Sequence, residues 1–328
     1  GCSGFIGFHL AKKLLSKKGY KVIGIDNLNS YYDVKLKYAR LKQLKKYKNF
    51  YFSKIDLIKR KKIDKIFRSF KINIVINLAA QAGVRYSLHN PDQYINSNVL
   101  GFYTLLEVMK KYNVKKLLFA SSSSVYGKIK SKIFSESLIT DKQISLYATS
   151  KKINEVFMNF YGSVYNFSNI GMRFFTVYGP YGRPDMAYFK FTKKILNGKK
   201  IDIYNKGKMY RDYTYIDDII DGIFKLINKV PKLNSKKKIK NDSLSPVAPF
   251  RILNIGNTKK IYLLDFINTL EKELGKKIKK NYMPMQKGDV HSTLSDSSLL
   301  KKITGYNPKT KYQTGIKKFI EWYLDYYN

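Results

Sequence analysis

The stretch that decides the fold is Gly1-Cys2-Ser3-Gly4-Phe5-Ile6-Gly7 (GCSGFIG), read together with Tyr20–Asp26 (YKVIGID). Glycines at 1, 4 and 7 let a backbone turn sharply and come close to another group. From Phe5 to Lys18 the apolar residues fall at positions 5, 6, 8, 10, 11, 14 and 15. That spacing is the stripe of an amphipathic helix, with Gly19 as its expected C-terminal cap. Tyr20–Asp26 then reads as a strand rich in branched residues that ends on an acid. A loop of this kind needs a buried strand in front of it, so the sequence reads as a fragment short of roughly 5–10 residues.

Outward from this unit the alternation continues. Helices are expected around Val34–Lys46, Lys59–Phe70, Ser97–Tyr112 and from about Tyr147. Strands are expected near Asn49–Ile55, Ile72–Leu78, Lys116–Ser121 and Asn169–Phe174. This rhythm predicts an α/β fold, a Rossmann-type doubly wound parallel sheet covered on both faces. After Val177 the rhythm loosens. A turn-rich loop (YGPYGRPD, Tyr178–Asp185) precedes helices at Ala187–Asn197 and Asp217–Asn228, an exposed linker over 230–250, and an aromatic helix at Tyr312–Tyr327. The expected organisation is a cofactor domain over 1–175 and a smaller α/β substrate domain over 176–328, partly interleaved with it.

Composition narrows the classes. No apolar run approaches the roughly 18 residues that span a membrane, and no signal peptide is visible. The single cysteine, Cys2, excludes an intrachain disulfide, and a cytoplasmic enzyme fits these limits. The 63 Lys+Arg against 23 Asp+Glu give a net charge of +40, which raises nucleic-acid or anionic-membrane binding as an alternative. Only eight of the basic residues are arginine, however, and the lysines are spread along the chain among Ile, Asn, Tyr and Phe. That mix reads as compositional drift over solvated faces. A polyanion-binding protein on an inactive Rossmann scaffold stays open as the reading of a different class.

Gly1, Gly4 and Gly7, with Phe5 and Ile6 between them, open a helix whose N-terminus suits a pyrophosphate. Asp26 stands 19 residues after Gly7 at the end of the next strand, where a carboxylate accepts hydrogen bonds from an adenosine ribose. No arginine lies beside Asp26 to hold a 2′-phosphate, so NAD is expected over NADP. Asn27 follows it, and Asp56 with Leu57, at the end of the third strand, is placed to reach the adenine; capping a helix is the competing use of Asp56.

Tyr147-Ala148-Thr149-Ser150-Lys151 is a Tyr-x-x-x-Lys, and at i and i+4 on a helix the two side chains share a face. An ammonium there is expected to favour the phenolate and lower the tyrosine pKa towards that of a general base. With 28 tyrosines the pattern recurs by chance, as at Tyr31/Lys35, Tyr38/Lys42, Tyr112/Lys116, Tyr126/Lys130 and Tyr204/Lys208. What singles out Tyr147 is the serine run Ser121–Ser124 upstream, at the carboxyl end of an apolar strand. In a parallel sheet that end is where ligands bind.

Taken in order, Gly1–Gly7, Ile25-Asp26-Asn27-Leu28, Asn77-Leu78-Ala79-Ala80, Ala120–Gly127, Tyr147/Lys151 and Arg173–Asp185 (RFFTVYGPYGRPD) resemble the extended short-chain dehydrogenase/reductases. Within these the chain is most similar to UDP-glucuronate 4-epimerases, and the likeness covers nearly its whole length. The resemblance implies NAD-dependent 4-epimerisation of a nucleotide sugar. Tyr147 would be base and then acid, Lys151 would tune it and hold the nicotinamide ribose, and Ser122, helped by Ser124, would contact the sugar 4-oxygen. Leu78, Ala79 and Ala80 would line the cofactor pocket, and Asn98 would brace the active site. Related dehydratases and decarboxylases carry a carboxylate, commonly Glu, just before Val-Tyr-Gly, where this chain has Ser124; elimination then lacks its obvious base. UDP-glucose 4-epimerase and UDP-glucuronate decarboxylase remain the alternatives within the class.

On the substrate side, a sugar nucleotide with a uronic acid is anionic at both ends, and bidentate arginines suit it. Arg85, Arg183 and Arg211 are the candidates. By resemblance Arg211 would hold the diphosphate, Asp289 the uridine ribose, and Arg183 with Thr176 the sugar end. His9, His89 and His291 are scattered without metal-ligand spacing, so no metal is expected. A homodimer is expected.

Overall fold

A computed structural model describes residues 1–129, 131–236, 239–285 and 291–327. The glycine loop leads into α1 (Phe5–Leu15), which buries Phe5, Phe8, Leu10, Ala11, Leu14 and Leu15 as the apolar stripe requires. The helix ends at Leu15, four residues before Gly19, and the hydroxyl of its C-cap Ser16 donates to the Lys13 carbonyl. Gly19 instead takes φ +85° in the turn before β1 (Val22–Asp26), a conformation that favours glycine. There follow α2 (Val34–Leu44), β2 (Phe50–Lys54), α3 (Arg60–Ser69) and β3 (Val75–Asn77). Asp33 caps α2 by accepting from the Lys35 amide at 2.9 Å.

The next helical region departs from expectation. It begins at α4 (Tyr86–His89) and α5 (Pro91–Tyr94), passes through a π-helical turn at Ile95–Leu100 and continues as α6 (Gly101–Lys111). Pro91 starts a helix readily because its missing N–H costs nothing there. The π turn changes the period of the helix locally, so a 3.6-residue pattern places the start too late.

The chain then forms β4 (Lys116–Ser122), α7 (Leu146–Tyr165) and β5 (Ser168–Phe174). Ser145 caps α7 by accepting from the Ala148 amide at 3.2 Å. Beyond come β6 (Thr176–Tyr178), α8 (Ala187–Leu196), β7 (Ile201–Ile203), β8 (Tyr210–Tyr215) and α9 (Ile216–Leu226). The last part holds β9 (Phe250–Ile255), β10 (Lys260–Tyr262), α10 (Leu263–Leu274), β11 (Lys280–Tyr282), α11 (Ser298–Thr304) and α12 (Tyr312–Tyr327).

Two all-parallel blocks hold the strands of the first part of the chain together with β9: β1–β2, and the four strands β3-β4-β5-β9 in that order. The start of the chain lies between them: the Cys2 amide donates to Ile25 at the end of β1, and Gly1 abuts Ala79 just past β3. Leu117, Leu118 and Phe119 of β4 and Ile170 and Met172 of β5 are fully buried, as strands with helices on both faces must be. Strand β9 returns from late in the sequence to pair with β5, so the two halves interleave.

Residues 230–250 are only partly the exposed linker expected. Asp242, Leu244 and Ala248 are buried, and Asp242 accepts two hydrogen bonds at 2.8 Å from Arg251 on β9. The prolines exclude helix and strand, yet this ion pair pins the segment to the sheet. No helix among the described residues is long and apolar enough to cross a membrane.

Candidate active site

One cavity of about 950 Å³ runs from the glycine loop past the carboxyl ends of the strands to Arg211. Gly1, Gly4, Phe5, Ile6 and Gly7 form its floor at one end. These glycines are required by close approach rather than by φ. A Cβ on Gly7 would lie 2.0 Å from the Gly1 carbonyl oxygen, and one on Gly1 would lie 2.5 Å from the Ala79 nitrogen. The N-terminus of α1 receives no side-chain cap, which leaves its positive end for an anion.

Asp26 lines the same cavity, its Oδ2 accepting from the Ser3 amide at 3.0 Å and its Oδ1 from Leu28 at 2.9 Å. A carboxylate has about four acceptor positions, so two remain for ribose hydroxyls. Asp56 does not cap α3, whose N-cap is Lys59; it accepts from Asn27 Nδ2 at 2.8 Å and lines the cavity beside Leu57. Leu78, Ala79 and Ala80 form the opposite wall. These residues fit a dinucleotide: a glycine cradle with no room for a Cβ, an uncapped helix start and a carboxylate one strand away.

Asn98 is not part of the wall. It is buried in the π turn, where Oδ1 accepts from the Gln81 amide at 2.8 Å and Nδ2 donates to the Gln81 carbonyl at 3.0 Å and to Ser150 Oγ at 2.9 Å. Ser150 in turn donates to the Tyr147 carbonyl at 2.8 Å. Asn98 thus braces the loop after β3 against α7.

Ser122 and Ser124 meet Tyr147 and Lys151 in the cavity wall. Ser122 Oγ donates to Ser124 Oγ at 3.2 Å, and Ser122 lies near enough to the Tyr147 phenol to pull its pKa down. Burial raises the Tyr147 pKa above its ordinary value; Ser122 and Arg183 act to lower it, and Asp185 to raise it. Lys151 lies in the same wall, on α7. Its Nζ donates to the Ala120 carbonyl at 2.9 Å, and burial pushes its own pKa down to about 8. Tyr126, the other tyrosine beside the serine run, is committed to Asn254 Oδ1 at 2.7 Å, and its partner Lys130 lies outside the described residues.

Arg183 lines the cavity, with Nε donating to Asp185 Oδ1 at 3.0 Å and Nη2 to Oδ2. Burial opposes the charge on Asp185, but Arg183 outweighs it and holds the carboxyl below its ordinary range. Thr176, at the start of β6, and Arg211, on β8, also line the cavity. Arg211 donates to the carbonyls of Tyr210 at 2.8 Å and His291 at 3.3 Å. Arg85 lies over the Tyr204 ring, 5.0 Å from its centre. Asp289 lies outside the described residues. No group of three or more His, Cys, Asp or Glu side chains that could hold a metal ion occurs among the described residues.

Three wall residues went unnoticed in the sequence. Lys37 is buried beside Asp26 and donates to the Asn29 carbonyl and side chain at 2.7 and 2.6 Å. As one lysine among many it carried no signal. Tyr31 looked like a chance Tyr-x-x-x-Lys, and Asp185 sat unread at the end of the YGPYGRPD loop.

The family model for GDP-mannose 4,6 dehydratase matches residues 1–319. Protein CapI of Staphylococcus aureus is 48% identical over 100% of this chain and 98% of its own length. UDP-glucuronate 4-epimerase 4 of Arabidopsis thaliana is 43% identical over 100% of this chain and 75% of its own. A crystal structure of UDP-glucuronic acid 4-epimerase from Bacillus cereus, in complex with UDP-glucuronic acid and NAD, superposes with a TM-score of 0.88. It is 31% identical, over 100% of this chain and 98% of that one. With the glycine cradle, the Asp26 carboxylate, Ser122 and Tyr147 gathered in one cavity, this chain belongs to the GDP-mannose 4,6 dehydratase family, among the NAD-dependent nucleotide-sugar epimerases and dehydratases of the extended short-chain dehydrogenase/reductase type.

Proposed function

We propose that the protein is a NAD-dependent nucleotide-sugar 4-epimerase that interconverts UDP-glucuronate and UDP-galacturonate. The observation that carries this reading is the gathering of Ser122, Ser124, Tyr147 and Lys151 in the wall of the cavity that begins at the glycine cradle. Relatives that bear the name UDP-glucuronate 4-epimerase, and the Bacillus cereus enzyme with its two ligands, support it. In the cofactor half, the glycine cradle and the α1 N-terminus hold the pyrophosphate and Asp26 the adenosine ribose, while Lys151 reaches the nicotinamide ribose. Bound NAD supplies reversible oxidation at the sugar C4. Tyr147 takes the proton from the 4-hydroxyl and later returns it, and Ser122, with Ser124, holds that oxygen in place. Because the sugar is re-reduced within the cycle, no second substrate is consumed.

On the substrate side, Arg211 and Arg85 serve the diphosphate end, and Arg183 with Thr176 the sugar end. Arg183 Nη1 makes no hydrogen bond to another described residue, which leaves that edge for a C5 carboxylate. Asp185 is a cavity carboxylate that acts on Tyr147, and its bidentate ion pair makes it a poor base for elimination. Epimerisation is favoured over decarboxylation on that ground. The division into a cofactor part, 1–175, and a mainly substrate part, 176–328, belongs to the same reading, as does a cytoplasmic location.

The chain also pairs as a homodimer in this reading. Val156, Phe160 and Val164 are exposed at i, i+4 and i+8 of α7, and Leu100 and Tyr103 are exposed at the neighbouring start of α6. Phe160→Glu should then yield monomer in sedimentation. The decisive assay for function is incubation with UDP-glucuronate, without added reductant. UDP-galacturonate is the expected product; UDP-xylose with CO₂ as the main products would replace epimerase by decarboxylase.

A further inference from the structure

We propose that Asp185 is a positioning and specificity-setting residue of this same site: it fixes Arg183 at the sugar end and offsets the guanidinium charge beside Tyr147. The inference rests on the epimerase reading in taking Tyr147 as the acid–base group. Its geometry is a built one. Asp185 accepts Nε of Arg183 at 3.0 Å on one oxygen and Nη2 on the other, and Tyr31 Oη donates to Oδ2 at 3.2 Å. Tyr31 comes from the segment after β1, so the pair is clamped between the cofactor side and the loop after β6. The Tyr31 ring packs on Tyr86 at 4.8 Å, Tyr86 on Tyr94 at 6.3 Å and Tyr94 on Tyr147 at 6.1 Å.

A bidentate arginine–carboxylate pair fixes the plane of the guanidinium and leaves only its outer edge to a ligand. It also presents a nearly neutral unit. A uronate entering the cavity therefore meets a compensated charge, not a bare cation, and a neutral sugar is not excluded by electrostatics alone. The groups that face the Tyr147 phenol are Arg183 and Asp185 from the loop after β6, Tyr94 from α5 and Ser122 from β4. Lys151, on its own helix, is turned to Ala120. Arg183 and Asp185 act on the phenol in opposite senses.

The test compares Asp185→Asn, Arg183→Met and the double variant with the wild-type holoenzyme, each first shown to melt cooperatively. In Asp185→Asn the acidic limb of the kcat profile should move to lower pH, because the uncompensated guanidinium favours phenolate. In Arg183→Met it should move to higher pH, and in the double variant it should return near the wild-type position. The kcat/KM ratio of UDP-glucuronate to UDP-glucose should rise about tenfold in Asp185→Asn, the effect of removing one partly screened like charge from a carboxylate's neighbourhood. A residue that merely shapes the loop would lower kcat without moving either limb. Limbs that stay in place, or that move the same way in both single variants, overturn the proposal. The limbs are read with whichever UDP-sugar is turned over, so failure to epimerise UDP-glucuronate sinks the proposed function and leaves this result standing.

Discussion

Lys151 donates from Nζ to the carbonyl of Ala120 at 2.9 Å, tying α7 to the strand that ends in Ser122. The ammonium is therefore a strut between helix and strand. Burial raises the Tyr147 pKa, and Ser122 and Arg183 pull it down. An i, i+4 spacing guarantees a shared face, but it does not fix which partner the longer side chain finds.

If Tyr147 moves the proton, Tyr147→Phe should cut turnover by about 10²–10⁴, the usual worth of a positioned acid–base group. The ring and its contact with Tyr94 survive the change, so NAD should still co-purify. Steady-state rates alongside the nucleotide content of the purified variant check both halves. Turnover like that of the wild type would remove Tyr147 from the mechanism.

Lys151 also makes a stability prediction, and its sign is unusual. Its folded pKa of about 8 lies below the ordinary 10.5, so between those values the unfolded chain holds a proton that the folded chain has lost. Stability from this group thus rises with pH from about 8 to 10.5, and below 8 the cost of burying the ammonium is present in full. That cost is about 3 kcal/mol. Lys151→Met in nucleotide-free protein should raise the thermal midpoint at pH 7 and flatten the rise above pH 8, while turnover falls. A lowered midpoint at pH 7 would mean that the bond to Ala120 outweighs the burial.

Behind the serine run, Arg173 on β5 meets Glu155 on α7 through two hydrogen bonds of 2.9 Å, with both side chains only 4% exposed. Ser121 donates to the same carboxylate at 2.6 Å. Arg173→Met strands that carboxylate and should cost about 3–5 kcal/mol. Replacing Glu155 by Leu as well should recover most of the loss. Urea unfolding at constant m-value measures both, and a loss below about 1 kcal/mol for the single variant would show that the site relaxes to admit water.

The strands and helices around the glycine loop were legible because each combined strong periodicity with a punctuating glycine, acid or serine. Tyr312–Tyr327 was read to the residue, since its aromatic face buries Phe319, Trp322 and Tyr323 without interruption. The π turn at Ile95–Leu100 was not legible, because it breaks the very period used to read helices. Nor was the docking of 230–250, where one ion pair, Asp242–Arg251, overrides three prolines and a lysine run. The glycine loop, Asp26 and the serine run, placed by backbone position, line the cavity the sequence pointed to. Lys37, Tyr31 and Asp185 were missed because their roles depend on side chains brought together across the fold.

In the proposed reaction, substrate choice turns on Arg183. A guanidinium edge facing the cavity can meet a C5 carboxylate with charge-assisted hydrogen bonds that a neutral hydroxymethyl group cannot match. Losing one charged partner typically costs about 1.5–3 kcal/mol, or roughly 10- to 150-fold in affinity. Arg183→Ala should depress kcat/KM for UDP-glucuronate by at least that factor, because Asp185 is then left uncompensated where the carboxylate must sit. Measured above the displaced acidic limb, slow turnover of UDP-glucose should be nearly unchanged, since no charge on that sugar faces Asp185. The two contributions separate in Arg183→Ala/Asp185→Ala, which removes the repulsion and should recover part of the loss for the uronate alone. If both substrates fall equally in the single variant, Arg183 supports the diphosphate or the loop itself, and the uronic-acid assignment loses its main physical warrant. If neither falls, the arginine does not touch the sugar.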